Sequence, residues 1–195
     1  MALDEAALDA LFRNARTHST FSDTPVSDEE LKALYELTKL GPTSANCSPA
    51  RFLFIRTEEG KKTLRPCLSG GNIEPVMAAP VTVVVAFDPH FYMKLPELYP
   101  DADVKPWFSG NPDLAEETSM RNSSLQGAYF LMAARAMGFA TGAMSGFDKV
   151  KLDRAFFGQN GWKSNFLINL GRPKPDETLP PRLPRLPFDE AAEFA

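Results

Sequence analysis

The stretch Gly41-Pro42-Thr43-Ser44-Ala45-Asn46-Cys47-Ser48-Pro49 separates a helical pattern from an apolar, strand-like run, and its reading decides how the chain is organised. Gly41 and Pro42 stop the preceding helix. Thr43 and Ser44 offer hydroxyls, and Asn46 offers an amide that both donates and accepts, so the loop reads as a cradle for a polar, planar ligand. Cys47 lies inside it, but small buried thiols are common and no histidine is near in sequence. We expect an inert thiol there rather than a nucleophile.

Upstream of the loop, Ser27 is placed to cap a helix with Glu30 as its capping-box partner, and Leu31, Leu34 and Tyr35 follow on one face. Still earlier, Leu8, Leu11, Phe12 and Ala15 have helical spacing after an acidic first turn. That spacing predicts a first helix delivering Arg16 and His18 at or just beyond its C-terminal end. Downstream, residues 52–56 and 81–87 are rich in aromatic or β-branched residues with little alternation, which predicts strands buried on both faces. A long helix is predicted over 114–139, with Leu125, Tyr129, Met132, Ala133 and Ala136 as its apolar stripe. Phe130 and Leu131 make it apolar on other faces too, which suits a central helix or a subunit interface. Residues 166–170 read as a last strand ended by Gly171, after which Pro173, Pro175, Pro180, Pro181, Pro184 and Pro187 prevent regular structure in much of the tail. Between the second strand and the long helix, residues 90–112 carry Phe91, Tyr92, Tyr99, Trp107 and Phe108 amid Pro and Asp. This irregular segment reads either as a lid over a pocket or as a surface excursion with its own small cluster.

The 195 residues, 44% hydrophobic and 24% charged, fit a single domain over 1–195. A net charge of -4 without any basic block leaves no electrostatic footprint for nucleic acid. The apolar stretches 77–87 and 127–134 are too short to cross a bilayer, and the acidic start lacks the pattern of a secretory signal. We therefore expect a cytoplasmic protein with no membrane partner. Cys47, Cys67, His18 and His90 have no metal-ligand spacing, so no metal is expected. Neither GxGxxG nor GxxxxGK[ST] occurs, and no Ser-His-Asp or paired-carboxylate grouping supports hydrolysis.

Arg16, the wording GPTSANCSPAR from Gly41 to Arg51, Phe108-Ser109, Met120-Arg121-Asn122-Ser123-Ser124, Met144-Ser145-Gly146-Phe147-Asp148 and the tail from Arg182 to Pro187 together resemble the nitroreductase superfamily of FMN-dependent oxidoreductases. The resemblance covers nearly the whole chain and looks closest to the malonic semialdehyde reductase branch of the Rut pyrimidine-degradation pathway. It implies an α+β fold of nitroreductase-like type: a mixed central β-sheet flanked by helices, with an extended C-terminal arm, in a homodimer with FMN at the interface.

The resemblance also implies site residues. Arg16, Arg182 and Arg185 would clamp the phosphate, a task suited to the multidentate guanidinium, with Thr17 and His18 nearby. Pro42, Thr43, Ser44, Asn46 and Asn72 would read the flavin edge. Met144 and the backbone amides of Ser145 and Gly146 would face flavin N5 and O4, donors that stabilise charge developing on the ring. Ser145 replaces the family's acidic residue, and Ser48 stands where many relatives have Gln. No catalytic side chain is read, since hydride would be carried by flavin N5. Arg121, Asn122 and Trp107 are the candidates for contact with substrate. The implied reaction takes hydride from NADH or NADPH through FMN to a small acceptor, malonic semialdehyde giving 3-hydroxypropanoate. The alternatives are a broad quinone or nitroaromatic reductase, and a non-enzymatic flavin-binding or interaction protein that docks through its Pro-rich tail.

Overall fold

Asp4 accepts the Ala7 N–H and opens α1 (Glu5–Leu8), whose last turn widens into a π-turn over Asp9–Arg13 in the structure, a computed structural model that describes residues 2–195. Arg16 and His18 follow directly. The capping box forms as expected at α2 (Asp28–Thr38): the Glu30 N–H donates to the Ser27 hydroxyl at 3.2 Å, and the Ser27 N–H donates to the Glu30 carboxylate at 2.8 Å. Such a box satisfies two N–H groups that a helix start would otherwise leave bare.

β1 (Ala50–Ile55) and β2 (Val81–Phe87) are joined by α3 (Glu58–Leu64) and α4 (Gly70–Ala78). After β2 come the short helices α5 (Leu95–Leu98) and α6 (Lys105–Ser109), then α7 (Pro112–Ala136), β3 (Ala140–Met144), α8 (Lys149–Phe156), β4 (Lys163–Gly171) and α9 (Phe188–Ala191) in the C-terminal arm. The strands pair in the order β1-β2-β4-β3, antiparallel throughout. Parallel pairing enters at one isolated bridge, Thr17 with Thr141, so the sheet is mixed only where the segment after α1 meets β3.

Every residue of β2 is buried, because helices cover both sheet faces. Val81, Val83 and Val85 pack with Leu31 and Leu34 of α2 and Phe130 and Ala134 of α7, while Val84 and Ala86 pack with Leu64, Val76 and Leu152 on the other side. The two-residue period of a strand divides its side chains between the layers in this way.

Three expectations are corrected. Residues 90–112 are not irregular: a 3-10 turn (Phe91–Lys94), α5 and α6 occupy much of the segment. Pro96 and Pro106 sit in the first turns of α5 and α6, where a missing N–H costs nothing, so they start helices instead of breaking them. Each helix is too short to show a period in the sequence. Of the stripe read on the long helix, Ala133 packs in the core, but the rest is not the face that meets the sheet. That face is built from small and polar residues, among them Thr118, Ser119, Asn122, Ser123, Gln126 and Gly127, whereas Leu125 and Tyr129 are 47% and 44% exposed. Close approach is the reason: a Cβ on Gly127 would lie 2.4 Å from the Phe166 ring. The helix also ends at Ala136 rather than 139, since Gly138 takes φ 75° and Phe139 turns into the core.

Candidate functional site

Where α1 ends, the arm returns and encloses a cavity of about 260 Å³ lined by Arg16, Arg135, Arg182 and Arg185, with no carboxylate among its lining residues. Arg16 donates to the Pro180 carbonyl. Arg182 donates to the carbonyls of Arg13 at 2.7 Å and Ala15 at 2.8 Å, backbone acceptors just past the end of the first helix. Arg185 bonds only its own neighbours, the Leu183 and Pro184 carbonyls. Arg135 is the member the sequence reading missed, having passed it as the residue that closes an apolar run. Its Nε is buried without a partner, and burial first, then the nearby Arg182 charge, hold its pKa below the usual arginine value. A lone basic residue in the last turn of a long helix is the signal that could have marked it, though C-terminal cations are also ordinary dipole partners.

The same segment is stitched to β3. Thr17 bridges Thr141, and the His18 N–H donates to the Thr141 carbonyl at 3.0 Å. Gly142 makes this possible, because a Cβ there would lie 2.4 Å from the His18 carbonyl oxygen, a backbone atom that cannot swing aside. The His18 ring turns toward the arm and meets Glu177, Nδ1 to Oε2 2.6 Å.

β3 runs from this bridge to the turn at Met144, Ser145 and Gly146. At about 3.3 Å per residue, the turn lies roughly 13 Å beyond Thr141. The Asn72 side-chain amide donates to the Gly146 carbonyl at 2.8 Å, and the Ser69 N–H donates to the same oxygen at 3.0 Å. Both donors hold the turn in one orientation, which places Asn72 as its support. Among the described residues, the amides of Ser145 and Gly146 have no acceptor. A Cβ on Gly146 would sit 2.6 Å from Asn72 Nδ2, so glycine lets the turn lie this close.

The loop at 41–49 is held differently. Ala45, Asn46 and Ser48 all take positive φ, at 48°, 49° and 40°. Each L-residue in that region costs about 1–2 kcal/mol, less for Asn, so the surroundings must enforce the shape. They do: the Ser44 N–H donates to Asn122 Oδ1 at 2.8 Å, the Ser48 N–H to the Thr43 hydroxyl at 3.1 Å, and Asn46 Nδ2 to the Leu98 carbonyl at 2.8 Å. Pro42 lies exposed at the loop's start. Cys47 is buried with Phe91, Leu95 and Phe108, and burial pushes its thiol up to about 11, in keeping with an inert thiol. Asn122 is fully engaged, its Nδ2 donating to the Thr118 carbonyl at 2.8 Å. The structure thus has Asn122 hold the loop from a buried position, 1% exposed. Arg121 is exposed and paired with Glu117, and Trp107 is exposed on α6.

The residues read from sequence as one site thus form two groups in one chain. Arg16, Thr17, His18, Arg182 and Arg185 line up along β3 with Met144, Ser145, Gly146 and Asn72. Pro42, Thr43, Ser44 and Asn46 lead into β1 and are tied to α7 through Asn122, with the exposed Arg121 next to it in sequence and Trp107 on α6, which packs on α7. β1 and β3 are opposite edges of the sheet, about 14 Å apart at 4.8 Å per strand. Along α7, positions 122 and 135, which anchor the two groups, are about 20 Å apart at 1.5 Å per residue.

Comparison with known proteins bears on the whole chain. The family model described as Nitroreductase family matches residues 12–172. Similar solved structures include a protein from Exiguobacterium sibiricum 255-15, described as a nitroreductase and solved in complex with FMN, with a TM-score of 0.85 at 23% identity over 100% of this chain and 99% of that one. A Staphylococcus epidermidis protein described as an NAD(P)H:FMN oxidoreductase gives 0.86 at 20% identity over 100% and 98%. A nitroreductase family protein from Streptococcus pneumoniae gives 0.78 at 24% identity over 95% and 98%. With its α+β fold of this type and a family match spanning most of its length, the chain belongs to the nitroreductase family.

Proposed function

We propose that this protein is an FMN-dependent oxidoreductase that takes hydride from NADH or NADPH and reduces a small acceptor, working as a cytoplasmic homodimer. One observation carries the reading: a cavity lined by four arginines lies along one strand from a turn whose two amides have no acceptor among the described residues. The residues fit the cofactor. Guanidinium forks suit a phosphate, unpaired amides suit the polar edge of a flavin, and Gly146 keeps a side chain out of the cradle.

Bound FMN would supply the two-electron chemistry, accepting hydride from the nicotinamide and passing it on. The chain does the rest. Arg16, Arg135, Arg182 and Arg185 hold the phosphate; the amides of Ser145 and Gly146 donate to the ring edge where negative charge develops; and Asn72 keeps those amides aimed. Such fixed dipoles need no reorganisation when the charge appears.

The loop from Pro42 to Asn46 completes the site from a second copy. The exposed Leu125, Tyr129 and Ala136, with the half-buried Met132 between them, support an isologous pairing of two α7 helices. An antiparallel pairing centred near Tyr129 sets position 122 of one helix opposite position 136 of the other, which brings the loop of one copy beside the Arg135 end of its mate.

For the acceptor we propose malonic semialdehyde, on the strength of GPTSANCSPAR, Arg121-Asn122-Ser123-Ser124 and Met144 to Asp148. Hydride goes to the aldehyde carbon, and the oxygen takes a proton. The ion pair of Arg121 with Glu117 favours a second reading, a neutral quinone or nitroaromatic, because it neutralises the cation read as a candidate for the substrate's carboxylate.

Purified protein should show flavin absorption that bleaches on anaerobic addition of NAD(P)H; a colourless protein that does not take up FMN would defeat the proposal. Arg16→Ala and Arg185→Ala should each weaken FMN binding by about one to two decades. Higher kcat/KM for a quinone or nitroaromatic, with negligible aldehyde turnover, would select the second reading.

A further inference from the structure

Resting on the phosphate-clamp reading above, we propose that Glu177 is a positioning residue that latches the C-terminal arm over the four-arginine cavity, and that arm closure and occupation of the cavity by a phosphate monoester stabilise each other.

Both carboxylate oxygens of Glu177 are engaged. His18 Nδ1 lies 2.6 Å from Oε2, and the Thr20 hydroxyl donates to Oε1 at 2.7 Å. The His18 and Glu177 side chains are only 16% and 10% exposed, an unusual degree of burial for an arm whose residues 180–195 are all exposed. One side of the latch is rigid, since the segment 17–22 is tied to β3 through Thr17 and to the end of β4 by the Ser22 N–H on the Arg172 carbonyl at 3.0 Å. The other side has no regular structure between β4 and α9.

Three residues beyond Glu177, the Pro180 carbonyl receives Arg16, and two further on Arg182 reaches the carbonyls of Arg13 and Ala15. Those acceptors are neutral. Among the cavity's lining residues nothing balances the four guanidinium charges, so in the empty site they oppose closure and the latch works against them. A phosphate dianion reverses the sign of that term. Whatever the latch adds to closure it therefore adds to anion affinity, and the anion returns the same coupling to the latch. Burial works to raise the Glu177 pKa, yet the hydrogen bonds from Thr20 and His18 and the His18 charge together outweigh it, so the latch is a carboxylate at neutral pH.

The test compares the full-length wild type, Glu177→Ala and Glu190→Ala, the last a change elsewhere on the arm. Trypsin cleavage after Arg182 and Arg185 is followed without ligand, and binding of FMN, riboflavin and inorganic phosphate is measured by titration. Glu177→Ala should be cut several-fold faster and bind FMN about tenfold more weakly, with riboflavin affinity and thermal midpoint unchanged. Glu190→Ala should match the wild type. Wild-type cleavage and FMN affinity in Glu177→Ala overturn the latch, and so does an equal loss for FMN and riboflavin, which marks a merely structural role. If the wild type binds neither flavin, the flavin reading fails and inorganic phosphate decides. Weaker phosphate binding by Glu177→Ala than by wild type upholds the latch, and equal or absent binding overturns it.

Discussion

Lys61 shows how burial alone can set the behaviour of one residue. Its Nζ donates to the Val76 carbonyl and to the Thr82 hydroxyl, both at 2.6 Å, and Thr82 donates onward to Asn169 Oδ1 at 2.8 Å. The side chain ties α3 to α4 and to the central strand with no carboxylate in the chain of contacts. Burial pulls its pKa down to about 8 from 10.5. Because the folded-state pKa is the lower one, the unfolded chain holds the extra proton between pH 8 and 10.5, and stability from this group rises with pH across that window. Below pH 8 the cost of burying the charge is present in full. Urea unfolding at pH 7.5 and 10 should therefore show the wild type gaining about 2 kcal/mol relative to Lys61→Met. Parallel curves for the two proteins would mean that the ammonium is not buried in this way.

Elements also meet tightly where α7 holds the loop at 41–49. Gly41 lies against the Tyr129 ring, with a built Cβ only 2.6 Å from it, and Asn122 and Gln126 accept the N–H groups of Ser44 and Ala50 at 2.8 and 2.9 Å. Polar residues on the inner face of α7 thus enforce a loop that would not choose three positive φ angles by itself. Asn122→Ala leaves the Ser44 N–H without its acceptor and should cost about 1–3 kcal/mol. Hydrogen exchange at the Ser44 amide should rise in Asn122→Ala and stay closer to wild type in Asn122→Asp, which keeps the accepting oxygen. Equal exchange in all three would assign the loop's shape to its own sequence. The sequence placed this loop correctly between a helix and a strand, yet its holder was unreadable, since Asn122 looks the same on a substrate face and on a buried one.

For the whole molecule, the separation of the two groups across the sheet is what motivates the proposed dimer. No rearrangement within one chain brings the loop beside β1 to the arginines beside β3 without dismantling the sheet order. In the proposed dimer a second copy would do so with the fold intact, through the exposed Leu125 and Tyr129 of α7. Tyr129→Glu and Leu125→Arg should each shift the protein toward monomer in sedimentation at micromolar concentration, and FMN should be lost with the dimer. A monomeric wild type that retains flavin would contradict the shared site. A flavin-free monomer that stays folded in the variants would show that the site, and not the fold, depends on assembly.

The sequence by itself marked α2, β1, β2, the long α7, β4 and the proline-broken arm. Ser27 with Glu30, the β-branched run of β2 and the prolines of the arm act through neighbours a few residues away, so their effects are legible in order along the chain. It also marked Arg16, Arg182, Ser145 and Gly146 as site candidates, because the family wording travels with the chain. Only the tertiary structure decided which of these meet. Arg135 joined the arginines because α7 ends where α1 ends, and Glu177 met His18 across 159 positions. Asn122 turned inward while Leu125 and Tyr129 turned out, contrary to the apolar pattern, since close approach to the sheet rewards small and hydrogen-bonded side chains over large ones. Contacts between distant segments depend on the sheet order and on which helix face is buried, and neither is written in local spacing.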